Sequence, residues 1–193
     1  MNPILPIEFF SRPAPQVAPE LLGCLLVRQW QGQRLAGMIV EAEAYQGMED
    51  QACHARVGKT ARNTVMFGAP GRAYVYFTYG MHWMLNLVCE SEGIPAAVLI
   101  RAIKPVEGLD AMRALRPHLA DTNAWLNGPA KLTQALGITR EQNGTDVCST
   151  DGGLWVEKGA SAPLEQVRLT PRIGLGATPE PWLSLPWRWE WKF

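Results

Sequence analysis

From Arg34 to Tyr45 the chain reads RLAGMIVEAEAY. The first half is an apolar run of strand length, and the second half alternates two glutamates with alanine before a tyrosine. Side chains of an extended strand point alternately to its two faces. Glu41, Glu43 and Tyr45 therefore share one side, with the carboxylates roughly 7 Å apart. A buried strand that carries two carboxylates and an aromatic out of its end is the element around which the rest of the chain is read.

Upstream, a loop over Pro13 to Pro19 leads into ELLGCLLVRQW, which reads as a helix or a strand, and QGQ reads as a turn. Downstream, residues 46–72 are rich in Gly, Arg, Lys, Asn and Pro and read as a long ordered loop. GRAYVYFTYGMHWMLNLV has strand-forming residues on both sides of Tyr79-Gly80 and reads as a β-hairpin. PAAVLIRAIKP is a further strand, ended by Pro105. VEGLDAMRALRPHL has helical spacing at Leu109, Met112 and Leu115. NGPAKLTQALGI is a second helix, with Asn127 placed to cap it, Pro129 in the first turn and Gly137 at the end. GLWVEKG is a short strand. The tail alternates Trp187, Trp189 and Trp191 with Arg188, Glu190 and Lys192, the pattern of a half-buried strand. Helices and strands mixed with much loop place the chain in the α+β class.

The 193 residues suit one domain spanning 1–193, with a core large enough to fold alone. Apolar residues make up 47% and charged residues 19%, the balance of an ordinary globular protein. No apolar run is long enough to span a bilayer, so no membrane partner is expected. The N-terminus, MNPILPIEFFSR, lacks the unbroken apolar stretch of a signal peptide. Cys24, Cys53, Cys89 and Cys148 are scattered with no CxxC spacing. They form neither a zinc site nor a disulfide framework, and they fit a cytoplasmic protein. A formal net charge of zero gives no general support to a nucleic-acid partner.

Charge is distributed unevenly, however. No acidic residue lies between Asp50 and Glu90, an interval that carries Arg56, Lys59, Arg62, Arg72, His54 and His82. The same interval holds Tyr74, Tyr76 and Tyr79. Cations for phosphates and flat rings for bases are what a nucleic-acid surface needs, and a solvated loop over core aromatics is the structural alternative. At the hairpin tip, Tyr79 and Met81 stand where turns usually show water Asn, Asp or Gly. An exposed apolar tip resembles the wedges that enter the minor groove and unstack bases; a tip folded back or held in an oligomer interface is the other reading. The paired carboxylates fit acid–base work on a glycosidic bond, metal binding, or a salt-bridged strand end. Arg101 ends an apolar strand where a lone charge would be costly, so it is expected to meet a carboxylate, and a glutamate of this pair is the natural partner. Asn86, inside MLNLV, needs a hydrogen-bond partner or reads a ligand edge. His54, beside Cys53, is structural or a pocket residue. Lys131 and the start of the NGPAKL helix suit a phosphate or an ordinary cap.

EAEAYQGMEDQACHA, RNTVMFGAPGRAYVYFTYGMHWMLNLV, LIRAIKPVEGLDAMR, NGPAKLTQALGI and TPRIG together resemble the alkyladenine (3-methyladenine, or methylpurine) DNA glycosylases. The likeness runs in order from about Phe9 to about Gly176. It implies a single mixed domain with a curved antiparallel sheet, flanking helices and a protruding hairpin. It implies a monofunctional enzyme that flips alkylated or deaminated purines out of double-stranded DNA and excises them by water attack at C1′, leaving an abasic site. By the same resemblance Glu43, and not Glu41, is the general base. Arg101 and the backbone carbonyl of Ile173 help to hold the water. Tyr45, His54 and Tyr76 sandwich the extruded base, Asn86 obstructs the guanine amino group, and Tyr79 fills the gap left in the duplex. Met81 and Lys131 complete the expected DNA contacts.

The chemistry expected is self-consistent. A base is reached only outside the stack, and a damaged base leaves it more cheaply. A ring-alkylated purine is cationic, attracted to aromatic faces, and a good leaving group. One carboxylate and a water then suffice, with neither cofactor nor metal, and the same carboxylate stabilises the oxocarbenium character on the sugar. No lysine lies in the pocket blocks, so no Schiff base is expected. A monomer is the default. Two other readings stay open: an inactive nucleic-acid-binding module with an intercalating hairpin, and a carbohydrate hydrolase using Glu41 and Glu43.

Overall fold

RLAGMIVEAEAY forms the centre of the longest strand, β2, Gln33–Gln46. The computed structural model describes residues 2–116 and 126–192. Around β2 lie β1 (Leu25–Trp30), β3 (Ala73–Thr78), β4 (His82–Val88), β5 (Ala96–Glu107), β6 (Leu154–Glu157), β7 (Val167–Thr170) and β8 (Arg188–Trp191). The strands pair antiparallel in the order β3-β4-β5-β2-β1-β6. The short strand β8 pairs with β2 beyond the end of β1, and β7 pairs with β8. The sheet curls into a half-barrel, giving the expected mixed α+β architecture. Among the described residues four short α-helices accompany it: α1 (Ile7–Phe10), α2 (Ala14–Glu20), α3 (Leu109–Leu115) and α4 (Pro129–Ala135). Among the described residues no helix is long and apolar enough to cross a membrane.

The apolar half of β2 drives assembly. Leu35, Ile39, Ala42 and Ala44 are fully buried, with Leu26, Val98 and Ile100 from the neighbouring strands and Phe10, Val17 and Leu21 from the helices. Each large side chain so buried contributes about 1.5–3 kcal/mol. α2 packs on β2 and β5, and α4 on β4 and β5.

Several expectations are corrected in detail. ELLGCLLVRQW is split: its glutamate closes α2, Gly23 turns the chain at φ +93, and Leu25 opens β1. β5 does not end at Pro105 but continues to Glu107. Pro105 pairs with Gly37 where the register slips, a bulge that tolerates the missing N–H. The strand stops instead at Gly108, whose φ of +80 leads into α3. The helix expected through Leu119 ends at Leu115, and its last positions lie outside the described residues. Asn127 does not cap α4: Gly128 holds that position, and the Asn127 Oδ1 accepts instead from Lys131 Nζ at 2.7 Å. The hairpin turn falls where the sequence puts it. Tyr79 and Gly80 adopt φ +51 and +68, and Met81 N–H donates to Thr78 O, the geometry of a two-residue primed turn.

Candidate active site

The site grows out of a defect in the β2–β5 ladder. The register breaks on both sides of Glu41, and Val40 and Arg101 have no direct opposite. A bulge redirects side chains, and here it brings Arg101 beneath the carboxylates. Arg101 Nε donates to Glu41 Oε1 at 2.8 Å, and its Nη1 lies 3.2 Å from Glu43 Oε1. The expected carboxylate partner of Arg101 is therefore both glutamates.

Glu43 is fully buried. Its Oε1 accepts the N–H of Ile173 at 2.8 Å, and its Oε2 accepts the Tyr45 hydroxyl at 2.9 Å. Burial pushes its pKa above the ordinary carboxylate value, against the pull of Arg101, Ile173 N–H and Tyr45; the neighbouring Glu41 adds to the rise. The backbone amide of Ile173 thus touches Glu43 directly.

In front of Glu43 opens a cleft of about 520 Å³. Tyr45, His54, Tyr76, Asn86, Arg101 and Ile173 all line it, with Cys53, Tyr74 and the loop from Gly174 to Thr178. Its aromatic wall is built on β3, where Tyr74 and Tyr76 sit two residues apart on one face, ring centroids 5.4 Å apart. His54 stands edge-on to Tyr76 at 4.5 Å, and its Nδ1 hydrogen-bonds the Tyr74 hydroxyl at 3.0 Å. Burial, aided by Arg62 and Arg56, pushes the His54 pKa down to about 4, so the ring is neutral at pH 7. Asn63 holds the His54 segment in place, donating from Nδ2 to the His54 and Gly58 carbonyls. Asn86 is nearly buried; its Nδ2 donates to Tyr74 O, and its Oδ1 has no partner among the described residues. Cys53 is buried in the wall, with its thiol pushed up to about 12 by burial, and Met48 is exposed away from the cleft.

Tyr79 lines the cleft while 80% exposed, and Met81 is exposed beside it. Lys131 is not brought to the cleft; α4 reaches it only through Pro129. Of the basic residues in the interval, Arg56 lines the cleft, Arg62 lies over the Tyr76 ring at 5.2 Å, and Arg72 is paired with Asp146.

Three groups at the site were not singled out from the sequence. Tyr74 anchors His54, and its alternation with Tyr76 is a visible signal. Arg172, inside TPRIG, is buried in a two-pronged ion pair with Asp50 at 2.6 and 3.0 Å. Its guanidinium also lies 4.8 Å from the Tyr45 ring centroid. Arg188, from the tryptophan-rich tail, donates from Nε to Glu41 Oε1 at 2.6 Å. Trp187, Trp189 and Trp191 pack on the core, which presses the intervening Arg188 against β2.

The chain as a whole matches known proteins. The family model for methylpurine-DNA glycosylase matches residues 8–192. A protein of Methanocella arvoryzae named after 3-methyladenine DNA glycosylase is 51% identical over 96% of this chain and 91% of its own length. Relatives of the same name from Carboxydothermus hydrogenoformans (47% identical, 98% and 95% covered) and Burkholderia lata (46%, 97% and 87%) are similar throughout. The likeness includes the tail strand as well as the cleft, and the chain belongs to the methylpurine-DNA glycosylase family.

Proposed function

We propose that this DNA glycosylase hydrolyses the N-glycosidic bond of alkylated purines, and of deaminated ones such as hypoxanthine, after they are flipped from duplex DNA into the aromatic cleft. The observation that carries the reading is Glu43: a buried carboxylate of raised pKa, directly behind the wall of an aromatic cleft with room for a purine, on a chain of this family. Tyr79, exposed at a turn, enters the duplex and fills the place of the flipped base. Tyr45, Tyr76 and His54 hold the base, and the neutral His54 adds no charge to repel a cationic purine. Asn86 narrows the cleft against the guanine amino group.

The glycosidic bond breaks with its electrons going to the departing base. Water adds to C1′ and gives its proton to Glu43, whose negative charge also stabilises the cationic sugar. Glu43 has no exposed surface in the free protein, so water reaches it once the incoming base draws Tyr45 from its bond to Oε2. No lysine lines the cleft among the described residues, which supports a monofunctional enzyme that leaves an abasic site. A carbohydrate hydrolase needs a second available carboxyl group. Glu41 is held by two arginines and does not offer one.

The test is single-turnover base release from duplexes carrying one hypoxanthine or one 7-methylguanine, wild type beside Glu43→Gln. Release by the wild type and loss in the variant, with binding intact, is expected. Binding without release by the wild type would favour the inactive binding module. A borohydride-trapped covalent adduct would overturn the monofunctional mechanism.

A further inference from the structure

The tail strand β8 places a second arginine at the site. Arg188 Nε and Arg101 Nε meet at one oxygen, Glu41 Oε1, at 2.6 and 2.8 Å. Arg188 is fixed on its other sides by Thr170 Oγ1 of β7 at 2.8 Å and by Glu190 Oε2 of β8 at 3.6 Å. Arg101 reaches on to Glu43. Glu41, Glu43, Arg101 and Arg188 thus form a row of alternating charge whose formal sum is zero. Glu41 and Arg188 are the outer half of the row, and neither lines the cleft.

We propose that Glu41 and Arg188 are positioning residues for the glycosylase reaction: Arg188 neutralises Glu41, Glu41 anchors Arg101, and Arg101 is thereby shared with Glu43 in the proportion the chemistry needs. The inference rests on Glu43 being the base.

The physical reasoning starts from what each group does to its neighbour. An unneutralised Glu41 would take Arg101 for itself and repel the charge on Glu43. A missing Glu41 would leave Arg101 to pair with Glu43 alone, making the carboxylate a weaker base. The row therefore holds Glu43 between two extremes. Glu43 is surrounded as follows. β2 supplies Glu41 and Tyr45, β5 supplies Arg101, the segment after β7 supplies Ile173 N–H, and β3 faces it with Tyr76. Arg172 lies behind Tyr45 and is neutralised by Asp50. Burial raises the Glu43 pKa, and Arg101 opposes that rise. Any change in how Arg101 is shared moves the balance.

The experiment is the pH profile of single-turnover release from a 7-methylguanine duplex. That base is already cationic and needs no proton to leave, so the acid limb reports the protein. Arg188→Met, which strips Glu41 of its counter-charge, is expected to move the limb upward by about half a pH unit, costing about threefold in rate on the limb. Glu41→Gln is expected to move it downward, and the double variant to stay below wild type, because Arg101 is then still left to Glu43 alone. Arg188→Lys keeps the charge and leaves the limb in place. Opposite shifts, with the double variant following Glu41→Gln, establish the row. Limbs that coincide with wild type while Glu43→Gln is inactive overturn the inference and leave the function standing. Release that survives in Glu43→Gln overturns both. Should Arg188→Met fail to fold, the direction of the Glu41→Gln shift decides.

Discussion

Two glutamates of this sheet are sealed from water and each faces an arginine, yet they lie on opposite sides of the ordinary carboxylate pKa. Glu157, on β6, is gripped by both prongs of Arg34 at 2.9 and 3.0 Å and by the Trp155 indole N–H at 2.8 Å. Burial pushes its pKa up, but these bonds outweigh it and the pKa ends below the ordinary value. Glu43 receives one amide, one hydroxyl and a single contact from an arginine it must share with Glu41. There burial prevails and the pKa ends above. Two prongs of one arginine make a carboxylate structural, even though Arg34 also gives its Nε to Glu107 at 2.9 Å. A single prong, outweighed by burial, leaves Glu43 able to take a proton.

Exchanging the loss between the two positions is the strongest way to break this contrast. Glu43→Gln is expected to lower single-turnover base release by about 10²–10⁴-fold, the usual worth of a positioned general base. It should leave thermal stability intact or improved. Glu43 holds its proton more tightly when folded, so its ionisation opposes folding as pH rises past the ordinary value, and the gain from Gln should be larger at pH 7 than at pH 4. A thermal melt that collapses in this variant would contradict the assignment.

Glu157→Ala should do the reverse, at smaller size. Removing the partner of Arg34 and Trp155 is expected to cost about 2 kcal/mol, or roughly 5 °C in Tm for a chain of this length. The rate of base release per folded molecule should not change. The sign with pH also differs. The Glu157 contribution is fully present above the ordinary carboxylate pKa and is lost as pH falls through its lower folded value. The Tm difference between Glu157→Ala and wild type should therefore shrink on acidification.

Tyr79 sharpens the contrast on the exposed side. A tyrosine at φ +51 is strained, and asparagine suits that turn position. Tyr79→Asn is expected to stabilise the protein by about 1 kcal/mol. Binding to a lesion-bearing duplex should weaken about tenfold, the scale of one lost stacking contact. Unchanged binding would remove Tyr79 from the DNA interface.

Local patterns in the sequence carried much of this. The alternation in RLAGMIVEAEAY foretold β2 and the shared face of Glu41 and Glu43, and Tyr79-Gly80 foretold the turn. The ordered loop carrying His54 was legible in its composition. Among long-range partnerships, that of Arg101 with the glutamates was legible from the cost of a lone charge, while others were not. Arg188 meets Glu41 across 147 positions, and Arg172 meets Asp50 across 122, with no local signal for either. β7 is only four residues long and owes its existence to β8. Pro105 misled because a bulge excuses its missing N–H, and such a bulge is a property of two strands together.

The most direct test is a site-resolved titration by carbon-13 NMR of the two side-chain carboxyl groups, assigned through Glu43→Gln and Glu157→Gln. The expected midpoints lie on either side of 4.5, Glu43 above and Glu157 below. Midpoints on the same side would contradict the claim that a single arginine prong set against burial, in place of a two-pronged grip, is what sets Glu43 apart from Glu157.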